Sequence, residues 1–130
     1  MSSIESVLSE MHGLISNGSA TKEEIAKAEG ALGVIFAKDY NEYLARFGCA
    51  SFIGHELTGI IESQRLNVIA ATMRNRSLYG SLPRDWYVIE EANLDDIVIW
   101  QAPDQKIYQT AMNKSPVKIA ENLAEYIQMN

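Results

Sequence analysis

The stretch from Thr21 to Gly48, TKEEIAKAEGALGVIFAKDYNEYLARFG, constrains the fold more than any other part of the chain. Thr21 and Glu24 stand at the spacing of a capping box, in which the hydroxyl takes a free backbone N–H of the first turn and the carboxylate reaches back. Ile25, Ala28 and Leu32 then fall on one helical face. Gly33 is placed to end that helix in a left-handed conformation. Val34-Ile35-Phe36 is too short for another helix and too apolar for an exposed loop. From about Lys38 a second helix is expected, with Tyr40, Tyr43, Leu44 and Phe47 on one face and Gly48 as its stop. Two short amphipathic helices joined by a tight apolar elbow must bury their faces on a common core.

The outer segments read more coarsely. Ile4, Val7, Leu8, Met11 and Ile15 form an apolar stripe, so a helix is expected over 3–16, ended by Asn17-Gly18. The glycines at 54 and 59 leave 50–62 open between short strands and an irregular loop. Leu66, Ile69, Ala70 and Met73 predict a helix near 64–78. Trp86-Tyr87-Val88-Ile89 and Ile97-Val98-Ile99-Trp100 have the composition of strands. Pro103-Asp104-Gln105 reads as a turn, and Lys106 to Met112 as the return strand of a hairpin. Helices, then a strand meander, then a helix imply an α+β fold with a mainly antiparallel sheet. With 130 residues and 47% hydrophobic content, the chain is expected to form a single domain over 1–130. No apolar run approaches a membrane span. The N-terminus carries acids and lacks the basic start of a signal peptide. The single cysteine, Cys49, excludes an internal disulfide and fits a reducing compartment.

The order helix, glycine, apolar elbow, then D-Y-x-x-Y-L-x-x-F-G resembles the N-terminal signature of the SUKH superfamily, whose usual pattern is glxLPxdyxxfLxxxnG. Gly33, Val34, Phe36, Asp39, Tyr40, Tyr43, Leu44 and Gly48 stand at matching places. The chain departs from the pattern with Phe36-Ala37 where Leu-Pro is usual, and with Cys49 after the closing glycine. Asp96 to Trp100 with Lys106 to Tyr108 resembles the family's late strand pair, and Ala120 to Ile127 its closing helix. The superfamily includes bacterial immunity proteins and a yeast cell-wall regulator. The resemblance therefore implies a cytoplasmic, non-enzymatic protein-binding domain. It would be made beside a secreted or contact-delivered toxin and would block that toxin by direct binding. The alternative it implies is a regulatory or cell-wall-related interaction scaffold of the same fold.

Charge suggests where a partner would sit. The net charge is −6, but its sign is unevenly spread. Residues 63–84 hold four arginines (Arg65, Arg74, Arg76, Arg84) and no acid, whereas 85–104 hold six acids and no base. A negative patch steers basic partners through on-rate and selectivity, and a nuclease toxin is a basic partner of that kind. The expected partner-binding residues are Glu90, Glu91, Asp95, Asp96 and Asp104, with Trp86 or Trp100 as an aromatic anchor. If the two tryptophans lie on the sheet's two faces and one is exposed, that one is the natural anchor, and the sequence leaves open which. The plainer reading of any one of these acids is a solvated turn residue.

Catalytic readings find little support. Adjacent acids such as Glu90/Glu91 and Asp95/Asp96 diverge into water, unlike the facing carboxylates of a glycosidase cleft. His12, expected on the polar face of the first helix, and His55, in a glycine-flanked loop, lack the company a metal site needs. Cys49 with His55 as base is a weaker reading than a small buried residue after a helix stop. Neither a catalytic residue nor a cofactor is expected. Nucleic acid is a poor fit to a negative chain, although Arg65 and Arg76 would share a helix face.

Overall fold

The computed structural model describes residues 3–92 and 96–129. The elbow forms as its residues dictate. In α2 (Lys22–Leu32) the Glu24 amide donates to Thr21 Oγ1 at 3.0 Å, and the Thr21 amide donates back to the Glu24 carboxylate at 2.9 Å. Gly33 closes the helix at φ 68°. Val34 and Phe36 turn inward, and α3 (Lys38–Phe47) comes next, with Tyr40, Tyr43, Leu44 and Phe47 buried. Ala37 precedes α3 without a side-chain cap, and its amide donates to the Tyr87 hydroxyl at 2.8 Å. A proline at this position has no such hydrogen to give, so the departure from the family's Leu-Pro supplies a donor to a buried tyrosine. Gly48 ends α3 at φ 68°, and a Cβ there would lie 2.0 Å from the Gly18 carbonyl oxygen. Only glycine fits where the 17–20 segment crosses over the end of this helix.

The first helix is shorter than its apolar stripe. α1 (Ile4–Ser9) is capped by Ser3 and stops before Gly13, whose φ is 71°. The expected second half of that helix is a turn, which contains His12, followed by β1 (Ile15–Ser16). β1 pairs with β2 (Ala50–Phe52), and β2 with β3 (His55–Glu56), in an antiparallel three-stranded sheet. The segment left open between strand and loop by its glycines is therefore both: a short hairpin over 50–56, then an irregular run whose Leu57 and Gly59 make only isolated bridges. α4 (Val68–Leu78) begins later than the apolar pattern suggests. Asn67 sets its start, because its side-chain oxygen accepts the amides of Ile69 and Ala70.

The second sheet is a four-stranded antiparallel meander in chain order: β4 (Tyr87–Glu91), β5 (Val98–Gln101), β6 (Ile107–Thr110) and β7 (Val117–Ala120). β7 is not visible in the sequence pattern, because its first residues are exposed and carry no clean alternation. α5 (Leu123–Ile127) closes the fold. The protein is thus α+β.

One core gathers Tyr87, Ile89, Ile99 and Ile107 of the meander with the apolar faces of α1, α2, α3 and α5. A smaller one joins Ala71 of α4 to Trp86, Val88, Val98, Trp100 and Ala102. Buried polar groups tie the parts together. The Tyr43 hydroxyl donates to the Thr58 carbonyl and accepts the Ala50 amide. Asp39, the aspartate of the family signature, accepts from the Leu123 amide at 2.8 Å and from Gln101 Nε2 at 2.9 Å. It fastens the start of α5 to α3, and burial raises its carboxyl above the ordinary range. The bridge Leu57 to Glu90, with the Thr58 amide on the Ile89 carbonyl, joins the two sheets at the β4 edge. No helix among the described residues is long and apolar enough to cross a membrane.

Candidate protein-binding surface

The far end of β4 decides how the acidic residues are displayed. Simple alternation along β4 would put Tyr87, Ile89 and Glu91 on one face and Val88 and Glu90 on the other. The register breaks between Val88 and Glu90: Val88 lies opposite Trp100, and Glu90 opposite Ile99. That bulge inserts Ile89 as an extra residue and re-aims the rest of the strand. Glu90 consequently turns toward the larger core, and Glu91 toward α4.

Glu90 is 6% exposed. Its carboxylate accepts from His55 Nδ1 at 2.8 Å, from the Glu56 amide at 2.8 Å and from the Tyr126 hydroxyl. It is committed internally, which corrects its expected place on a partner-facing patch. Glu91 is half-buried and accepts from Arg74 Nη2 at 2.9 Å and Asn75 Nδ2 at 2.7 Å. Asp96 is exposed, at φ 56°, and its carbonyl accepts from the Tyr79 hydroxyl at 3.3 Å. Asp95 lies outside the described residues. Asp104 is exposed in the β5–β6 turn, where its carboxylate accepts the Lys106 amide at 3.1 Å. Antiparallel pairing places that turn at the opposite end of β5 from Asp96. The acids therefore do not form one continuous patch.

The tryptophans also differ from expectation. Both belong to the smaller core, on one side of the meander rather than on two. Trp100 is 1% exposed, and its indole N–H donates to Thr110 Oγ1 at 2.9 Å. Trp86 is 9% exposed and stacks on Tyr108 with centroids 4.2 Å apart. Neither is an exposed anchor, because each aromatic face is spent on packing.

The apolar anchors lie elsewhere. Leu78, 64% exposed at the end of α4, and Met112, 48% exposed in the β6–β7 connection, flank a groove of about 300 Å³. Its floor and walls are Tyr79, Ala92, Ile97 and Val98, with Asn75, Glu91 and Asp96 as its polar groups. This groove, and not a tryptophan, combines accessible apolar area with carboxylates. The structure buries Val68, Ala71, Thr72 and Asn75 of α4 rather than the expected stripe of Leu66, Ile69, Ala70 and Met73. Leu78 follows that buried side at the spacing of a core residue and is exposed only because the helix ends there, so no sequence spacing marks it or Met112 as a surface anchor.

Two of the four arginines of the 63–84 run are ion-paired among the described residues. Arg65 precedes α4 and binds Glu56 with both terminal nitrogens, at 2.8 and 2.9 Å. Arg74 reaches Glu91 and the carbonyls of Gln64 and Arg65. Arg76 donates to the Arg84 carbonyl. The expected sharing of a helix face by Arg65 and Arg76 does not occur. Cys49 is buried, its thiol donates to the Leu57 carbonyl at 3.4 Å, and burial pushes it up to about 11. A thiol held protonated is a poor nucleophile, and His55, opposite Phe52 rather than Cys49, is turned to Glu90.

The family model described as SMI1-KNR4 cell-wall (SUKH_6) matches residues 22–127, from the first residue of α2 to the last of α5. No curated protein matches the chain.

Proposed function

The chain belongs to the SUKH superfamily, and on that premise we propose that it is a non-enzymatic immunity protein that neutralises a cognate toxin by binding it. The observation that carries this reading is the groove between Leu78 and Met112, an accessible apolar slot edged by Glu91 and Asp96. Apolar side chains at the centre of an interface supply the desolvated anchor, and rim charges set selectivity and on-rate. A basic toxin domain, such as that of a nuclease, fits this arrangement. Binding would occlude the toxin's working surface stoichiometrically, in the cytoplasm of the producing cell, with no cofactor.

Co-expression tests the reading. A toxin domain encoded beside this protein is expressed with the wild type, with Leu78→Asp and with Asp96→Lys. Rescue of growth by the wild type, and its loss with Leu78→Asp at equal protein levels, is the expected outcome. Equal rescue by all three proteins would remove the groove from the mechanism. The matched family's cell-wall description favours a second reading, an endogenous interaction scaffold. Under that reading the protein rescues no toxin, and its deletion gives a morphology or wall-stress phenotype.

A further inference from the structure

We propose that His55, Glu90 and Tyr126 form a pH-responsive latch that fastens α5 and the small sheet to the end of β4. The three side chains come from β3, β4 and α5, and they meet on one carboxylate. Glu90 is almost wholly buried, while His55 keeps partial access to solvent. A buried carboxylate needs a counter-charge or several donors. His55 can supply the counter-charge, with the Glu56 amide and the Tyr126 hydroxyl as neutral donors.

The surroundings leave His55 as the titrating member. Phe52 of β2 covers one side of its ring, with centroids 5.1 Å apart, and Tyr126 stands edge-on at 5.6 Å. The Glu56 carboxylate is turned to Arg65, and Glu91 faces Arg74 across the strand. The hydrogen bond and charge of Glu90 hold His55 above the ordinary histidine range, against the opposing effect of burial. Because the folded value is raised, the stabilisation is complete below the unfolded value of about 6.5 and is lost as pH rises through the folded value. On the alkaline side Glu90 remains buried with neutral donors only, and the grip on Tyr126 weakens. The bulge that points Glu90 inward thereby couples proton loss at β3 to the packing of the closing helix.

Amide exchange of α5 in the intact protein, tracked by NMR across neutral pH, tests the latch. After correction for intrinsic exchange, protection of the Tyr126 and Ile127 amides should fall at least about three-fold between about pH 6 and pH 8.5, with a midpoint matching the ring titration of His55. His55→Gln should flatten the profile. Tyr126→Phe should lower protection at every pH yet leave the His55 midpoint above the ordinary histidine value of about 6.5, which separates the latch from a merely structural loss. Wild-type protection that does not change with pH, or an unchanged slope in His55→Gln, would overturn the proposal.

Discussion

The start of α2 and the far end of β4 satisfy their polar groups by opposite routes. At the start of α2, the Thr21 amide donates to Glu24 three residues away, and the Glu24 amide returns to the Thr21 hydroxyl. At the end of β4, Glu90 collects donors 34 to 36 residues away, from β3 and α5. The first region is held by local chemistry that any isolated segment could begin to form. The second exists only once two sheets and the last helix have assembled around a bulge. The difference teaches where the molecule stores its cooperativity: damage to the capping box weakens one helix start, whereas damage at Glu90 releases three elements.

Adjacent acids on β4 make the sharpest test of that contrast. Glu90→Lys places a cation beside His55 in a buried site, and the expected loss is about 3–5 kcal/mol by urea unfolding. Glu91→Lys meets Arg74 at a half-exposed position, so about 1 kcal/mol or less is expected. Equal losses would show that the bulge does not separate the two side chains as described. Leu44→Ala removes a fully buried side chain from the larger core, with an expected cost of about 2–5 kcal/mol; a negligible change would take Leu44 out of that core. Thr21→Ala deletes one half of the capping box and should cost about 0.5–2 kcal/mol. A loss at Thr21 as large as that at Glu90 would erase the distinction between local and assembled regions.

The same distinction explains what was legible in the sequence. The capping box, both glycine stops and the buried faces of α2 and α3 arise from spacings of three and four residues, and the structure has them where expected. The strand runs of β4, β5 and β6 were equally visible as β-branched and aromatic blocks. Three features were not. Gly13 halves the first helix, although the apolar stripe runs through it, because a left-handed glycine overrides periodicity. β7 carries exposed residues where a pattern would be sought. The bulge at Ile89 reverses the faces of Glu90 and Glu91, and with them the meaning of the acidic run. Composition placed the six acids in one short window, but the meander sends Asp104 to the opposite end of the sheet from Asp96. The tryptophans looked like anchors because the residue type is enriched at interfaces. Their burial depended on α4, whose position no local pattern fixes.

Binding through the Leu78–Met112 groove is the central claim, and calorimetric titration of the purified toxin domain tests it most directly. Leu78→Asp changes an exposed side chain, so stability should stay within about 0.5 kcal/mol of the wild type. Affinity should nevertheless fall at least about thirty-fold, the scale of a lost anchor of about 2 kcal/mol. A variant that folds as well as the wild type and binds with undiminished affinity would contradict the account and move the interface away from this groove.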